Sequence, residues 1–258
     1  MRILVTNDDG LHAPGLHALV TALDAAGHEL LVVAPEGDRS GSGAAIGNLG
    51  DGSYLRYRPM SLAGLEHVES YELEAPPAVC VFAARLRAFG PVPDLVASGV
   101  NPGLNTGRVT LHSGTVGAGL TAANLGMSAV AVSIAGRESS VRHWSVAGEL
   151  AVDVVEWLVD APAPTVINLS LPDRPRAELA DIRWGTLAPF GAVRAEVLER
   201  TDERIEIGLV PTGGQLPADS DTALVEAGHP VVTALTGIRG SEPTGLVDHL
   251  SAARAGGG

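Results

Sequence analysis

A chain of 258 residues with 45% apolar side chains has the material for one large α/β domain, but only 3% of it is aromatic, so the core must be built from Leu, Val, Ile and Ala. A formal net charge of −13 excludes a nucleic-acid polymer or an anionic membrane as the main partner, because either needs a basic face; a small phosphorylated ligand stays open, since a bound cation reverses the local sign. The single cysteine, Cys80, excludes an internal disulfide, and no run approaches the roughly 20 apolar residues of a membrane span, so a cytoplasmic protein is expected.

The chain opens on Ile3-Leu4-Val5, an apolar run that ends in Asn7-Asp8-Asp9-Gly10. Such a run, bounded by a Gly turn, predicts a strand buried on both faces. Leu16, Leu19, Val20 and Leu23 recur at helical spacing and predict a helix over 12–28, stopped near Gly27. Residues 29–35 read as a second buried strand, so the opening is β-α-β, right-handed, with both strand ends on one edge. The polar loop Glu36 to Gly43 reaches that edge.

Tyr54–Tyr57 and His67–Leu73 read as short strands, and Pro76-Pro77 precede a helix over 78–89. Cys80 reads there as a small buried hydrophobe. Residues 94–101 form the next strand-to-loop junction, followed by the Asn- and Gly-rich stretch 102–107 and a small-residue helix over 117–125 with Ser113 or Thr115 as its cap. A strand over 127–134, an amphipathic helix over 146–158 and a strand over 165–172 continue the alternation of one doubly wound, mostly parallel, Rossmann-like sheet over 1–172. From about Asp173 the pattern changes. Residues 182–187, 194–198 and 204–210 alternate like exposed strands, with a hairpin turn at Thr201-Asp202-Glu203 that is a candidate subunit contact. A short helix over 221–226, a strand over 229–235 and a last helix over 245–253 complete the same domain, before the tail 255–258, expected to be disordered.

Ligands in such sheets bind at the carboxyl ends of the strands. Three of those ends offer Asp8 and Asp9, then Ser40, then Asn101, all oxygen donors suited to a hard cation such as Mg²⁺ or Mn²⁺. The alternative for the acidic pair is that one Asp caps the following helix while the other is solvated. No Cys/His cluster of the kind zinc prefers is present. The helix start at Ser113-Gly114-Thr115 is suited to a phosphate.

Asn7-Asp8-Asp9-Gly10 with His12-Ala13-Pro14-Gly15, Ala34-Pro35 with Arg39-Ser40-Gly41, Ser98-Gly99-Val100-Asn101 with Gly103, Asn105 and Gly107, and Ser113-Gly114-Thr115-Val116 together resemble the SurE family of survival-protein nucleotidases. The likeness continues through Asn168 to Pro172 and Ser220-Asp221-Thr222-Ala223. The resemblance implies a metal-dependent phosphatase of nucleoside 5′-monophosphates, with 3′-nucleotides and short polyphosphate as further substrates. It implies one divalent cation per subunit, held by Asp8, Asp9, Ser40 and Asn101. Asp8 and Asp9 would serve catalysis, Asn105, Ser113, Gly114 and Thr115 would hold phosphate, and the C-terminal hairpin and tail would build homodimers or homotetramers.

Two segments depart from the family pattern: His112 replaces the usual Tyr, and Ala75 to Cys80 lacks the usual Thr and Asp. His112 reads as a surface or packing histidine, with protonation of the leaving alkoxide as the second reading. A haloacid-dehalogenase-type site would space its carboxylates as Asp-x-Asp, and here Gly10 stands where the second would be. A receiver-like domain has no place for the long 98–116 segment. A nucleotide sensor that holds phosphate without cleaving it, or a phosphatase of another substrate class, remains the competing reading.

Overall fold

The computed structural model describes residues 1–47, 50, 52, 54–190, 193–211 and 215–238. In chain order its elements are β1 (Arg2–Thr6), α1 (Pro14–Ala25), β2 (Glu29–Pro35), β3 (Tyr57–Met60), β4 (Glu69–Leu73), α2 (Pro77–Arg85), β5 (Leu95–Pro102), a 3₁₀ segment Gly107–His112, α3 (Gly114–Asn124), β6 (Ser128–Ile134), α4 (Trp144–Asp160), β7 (Val166–Leu171), β8 (Arg183–Trp184), β9 (Val193–Arg200), β10 (Ile205–Pro211), α5 (Asp221–Glu226) and β11 (Val231–Leu235).

The apolar runs become strands because each fills two faces at once. Ile3 and Val5 of β1, Val32 of β2 and Ala97 of β5 pack under α1 and α4, while Leu4, Leu31 and Val96 point the other way, under α2 and α3. Alternation of this kind needs a helix layer on each side, which is the doubly wound arrangement. The described strands form a nine-stranded sheet of order β3–β4–β2–β1–β5–β6–β7–β11–β8. The run from β4 to β7 is parallel, β3 is antiparallel to β4, and β11 is antiparallel to β7. The chain winds outward from β1 to β2, then crosses back to place β5 on the other side of β1. The reversal lies between β1 and β5, with Thr6 level with Ser98, and a ligand crevice belongs just beyond those two carboxyl ends.

Several elements differ in extent from the sequence expectation. α1 starts at Pro14, where Pro is tolerated because that N–H has no helical partner, and its cap residue, Ala13, supplies no side-chain bond. Neither Asp8 nor Asp9 therefore caps it. α2 stops at Arg85 because Arg87 adopts a left-handed conformation, φ 64°, that turns the chain back. α3 begins three residues early, at Gly114, because Ser113 accepts from the Val116 amide. The edge strand β3 starts at Tyr57, whose ring meets Tyr71 and Phe89 edge-on, and its Pro59 is accommodated because the strand has a free side. The expected strand over 182–187 shrinks to Arg183–Trp184, since the residues after it bond instead to the 219–221 segment.

β9 and β10 form the expected hairpin, a separate two-stranded sheet closed by Thr201, whose amide donates to the Arg204 carbonyl. The last helix expected over 245–253 and the tail at 255–258 lie outside the described residues. Among the described residues no helix is long and apolar enough to cross a membrane.

Candidate metal and phosphate site

The turn after β1 is held by its own Asn. Asn7 Nδ2 donates to the Gly10 carbonyl at 3.0 Å, and the Gly10 amide returns a bond to Asn7 Oδ1 at 3.2 Å. Gly10 sits at φ 104°, and a Cβ there would come within 3.1 Å of Gly37 Cα. Glycine is required on both counts. The turn thus aims Asp8 and Asp9 into the crevice while the 36–43 loop lies against its back.

Asp8 is buried and fixed at both oxygens. Oδ1 accepts from the Thr115 hydroxyl at 2.5 Å and Oδ2 from the Gly114 amide at 3.1 Å. Burial raises its pKa, and these hydrogen bonds oppose the rise. The N-terminus of α3, expected to bind phosphate, is therefore engaged with the Asp8 carboxylate through Gly114 and Thr115. A Cβ on Gly114 would lie 2.7 Å from the Asp8 side chain, so only Gly lets the helix start come this close.

Asp9 is the opposite case. Its Oδ2 is buried with no hydrogen-bond partner. Burial, then the charges of Asp8, Asp38 and Glu138, push its pKa up to about 8. Such a carboxylate is stable as an anion only beside positive charge.

Ser40 and Asn101 come to the same edge by different routes. The Arg39 amide donates to the Asp8 carbonyl at 2.6 Å, which places Ser40 one residue beyond the acidic turn. The Ser40 hydroxyl and amide bond Asp38 and hold that carboxyl below its ordinary value. Asn101 stands at the end of β5, beside β1. Its Nδ2 donates to the Gly103 carbonyl at 2.6 Å, so Oδ1 is the acceptor it presents to other groups.

Among the described residues no three His, Cys, Asp or Glu side chains are placed to hold a metal by themselves. Two Asp with the Asn101 amide oxygen and the Ser40 hydroxyl would offer a hard, oxygen-only set. It fits Mg²⁺ or Mn²⁺, which retain water, better than zinc.

Asn105 lies further along the rim. Its backbone amide donates to Ser133 Oγ at 3.1 Å and its carbonyl accepts from Asn168 Nδ2 at 2.7 Å. Its Nδ2 is buried without a partner, an unmet donor. Ser113 Oγ accepts from the Val116 amide at 3.1 Å, which leaves its proton free to donate. His112 is exposed, and its carbonyl accepts from the Gly43 amide. Cys80 is fully buried, and burial pushes its thiol up to about 12, which removes it from chemistry.

A family model described as "Survival protein SurE" matches residues 3–191. The chain belongs to the SurE family. It is similar to a protein of Aeromonas hydrophila named 5′-nucleotidase SurE, 36% identical over 241 residues, which are 92% of each chain. A second 5′-nucleotidase SurE, of Desulfatibacillum aliphaticivorans, is 40% identical over 185 residues, covering 71% of this chain and 70% of the relative. Among solved structures, the SurE protein from Aquifex aeolicus overlays with a TM-score of 0.79 at 26% identity, covering 98% of this chain and all of the other. The chain thus has the SurE fold.

Sequence reasoning missed several residues of this SurE site. Asp38 and Glu138 add negative charge around Asp9. Ser42 Oγ is buried without a partner beside Gly114. Asp221 bonds the Gly107 amide at 2.7 Å. Asp38 and Ser42 lie in the polar 36–43 loop and Asp221 in the 220–223 motif, but neither signal gave these residues a role, and Glu138 carried no signal.

Proposed function

We propose that this chain is a divalent-metal-dependent 5′-nucleotidase, hydrolysing nucleoside 5′-monophosphates to nucleoside and phosphate. The observation that carries the proposal is the pair at the switch point: one carboxylate fixed at both oxygens, and its half-buried neighbour with one buried oxygen that no group among the described residues satisfies. Family membership and relatives named 5′-nucleotidase support the substrate class. In this reading Asp8, Asp9, Ser40 and Asn101 would hold one Mg²⁺ or Mn²⁺ per subunit. When bound, such an ion neutralises phosphate charge and acidifies water.

The chain's own groups do the rest. Thr115 and Gly114 keep Asp8 immobile, so the site is preorganised. Asp9 takes up a proton from the attacking water through the carboxylate oxygen that does not hold the ion, and the leaving 5′-oxygen takes its proton from bulk water. Asn105 Nδ2 and the Ser113 hydroxyl donate to phosphate oxygens. Gly114 and Thr115 contribute through Asp8 and not by direct contact with phosphate. His112, exposed at the rim, takes no part in this scheme. 3′-Nucleotides and short polyphosphate, which present the same terminal phosphate, are further substrates. A cytoplasmic setting suits the free thiol of Cys80.

We also infer a homodimer or homotetramer built through β9 and β10. Val197 and Ile207 are cross-strand partners at 62% and 66% exposure, and Ile205, two residues before Ile207, is similarly bare. Nothing within the described chain covers that apolar face.

The test is phosphate release from AMP by the purified protein with Mn²⁺, with and without EDTA. Turnover that chelation and Asp9→Ala each abolish is expected. Turnover that survives both overturns the proposal. AMP binding without turnover in Mn²⁺ would favour a nucleotide sensor instead.

A further inference from the structure

The Ser220-Asp221-Thr222-Ala223 motif lies far along the chain from the acidic pair, and the scheme above gives it no part. We propose that Asp221 and Thr222 are positioning residues that lock the 105–107 loop so that Asn105 presents its side-chain amide to the phosphate. This rests on the nucleotidase reading.

The loop is held at four points. The Asn105 amide and carbonyl bond Ser133 and Asn168. Thr106 Oγ1 accepts from Thr222 Oγ1 at 2.9 Å, and the Gly107 amide donates to Asp221 Oδ2 at 2.7 Å. What remains is Asn105 Nδ2, buried and unpartnered. A loop whose backbone is fastened on both sides of one unmet donor is organised to present that donor.

Asp221 is fully buried, and no ion pair to it is formed by the described residues. Its charge is met by three N–H groups, Gly107 at Oδ2 and Ala188 at 3.0 Å and Thr222 at 2.7 Å at Oδ1, and by the Thr222 hydroxyl, which lies 3.3 Å from Oδ1 as well as 2.9 Å from Thr106 Oγ1. A buried carboxylate is costly unless such donors surround it. Starting α5 does not explain it, since Ser220 already accepts from the Ala223 amide. The bond to Gly107 crosses 114 residues of sequence and serves the loop, not the helix.

The experiment separates positioning from stability. In Asp221→Asn the remaining oxygen can still serve Ala188 and Thr222, but an NH₂ group then faces the Gly107 N–H. Expected is a fall in kcat on AMP of about 10- to 100-fold with a smaller change in KM. Thr222→Val should lower kcat less, and Thr222→Ser should restore it. Thr233→Val, which cuts only the bond to the Gly185 carbonyl, should lower Tm without lowering kcat.

Amide exchange at Gly107, measured without metal or substrate, should quicken in Asp221→Asn and Thr222→Val. Unchanged exchange at Gly107 overturns the lock even if the wild-type protein cleaves no nucleotide, an outcome that would sink only the nucleotidase reading. Wild-type kcat in Asp221→Asn, or kcat losses that follow Tm equally in Thr233→Val, also overturn it. Should Asp221→Asn fail to fold, the Thr222→Val and Thr222→Ser pair decides: failure of Ser to restore kcat overturns the proposal.

Discussion

Residues 1–172 and 173–238 use apolar side chains in opposite ways. In the first region Leu4, Leu31 and Val96 are wholly buried, because each strand lies between two helix layers. In the second, Val197 and Ile207 are cross-strand partners on a hairpin that no described helix covers, and both remain exposed. Burial of a large aliphatic side chain contributes about 1.5–3 kcal/mol, so the first region holds the stability, while the hairpin of the second draws little of it from Val197 and Ile207. The division is not complete. β11 extends the main sheet, and Asp221 reaches back to Gly107, so the second region also trims the site.

The largest expected effect lies in the first region. Asp9→Ala should lower kcat on AMP by about a thousandfold or more while the fold persists, as circular dichroism would record. Retained activity would move the chemistry away from the acidic turn.

Next is Gly117→Ala. Its Cβ would stand 2.2 Å from the Gly43 carbonyl oxygen, so α3 and the 36–43 loop must separate. A loss of about 2–4 kcal/mol in urea unfolding is expected, together with weaker metal-dependent turnover. An unchanged midpoint would mean that loop and helix do not support each other.

The third effect is a pH dependence. Because the folded Asp9 titrates near 8 and an unfolded Asp near 3.8, the folded state keeps a proton that the unfolded state releases. In EDTA, stability should therefore be greatest in acid and fall as pH climbs from about 4 to about 8, by about 1–3 kcal/mol. Melting curves at pH 5, 7 and 9 measure it. Asp9→Asn should flatten that slope, and Mn²⁺ at pH 8 should raise the wild-type Tm. A slope unchanged by Asp9→Asn would place its origin elsewhere.

The smallest effect belongs to the second region. Val197→Lys with Ile207→Lys should alter monomer stability by no more than about 0.5 kcal/mol, since both positions are exposed, yet reduce the mass seen by light scattering. An unchanged mass would remove the hairpin from the assembly.

Much of this was legible in advance. The apolar runs at 3–5, 29–35, 94–101, 127–134 and 165–172 became strands, because a run buried on both faces leaves little else to form. Element ends were less legible. Arg87 shortens α2 through a left-handed turn that its residue type does not announce, and the strand expected over 182–187 lost most of its length to bonds with residues 219–221. At the candidate site, sequence motifs singled out Asp8, Asp9, Ser40 and Asn101. They did not say which donor meets which acceptor.

What the sequence determined by itself is the layered α/β sheet, the acidic pair at the end of its first strand, and an aliphatic core, because periodicity and composition are local properties. What only the tertiary structure decided is the pairing: Gly114 and Thr115 turned to Asp8, Asp9 left with an unmet oxygen, and Asp221 holding a loop 114 residues away. A sequence records every donor and acceptor, but a hydrogen bond needs about 3 Å and the right angle, and only the folded chain sets those.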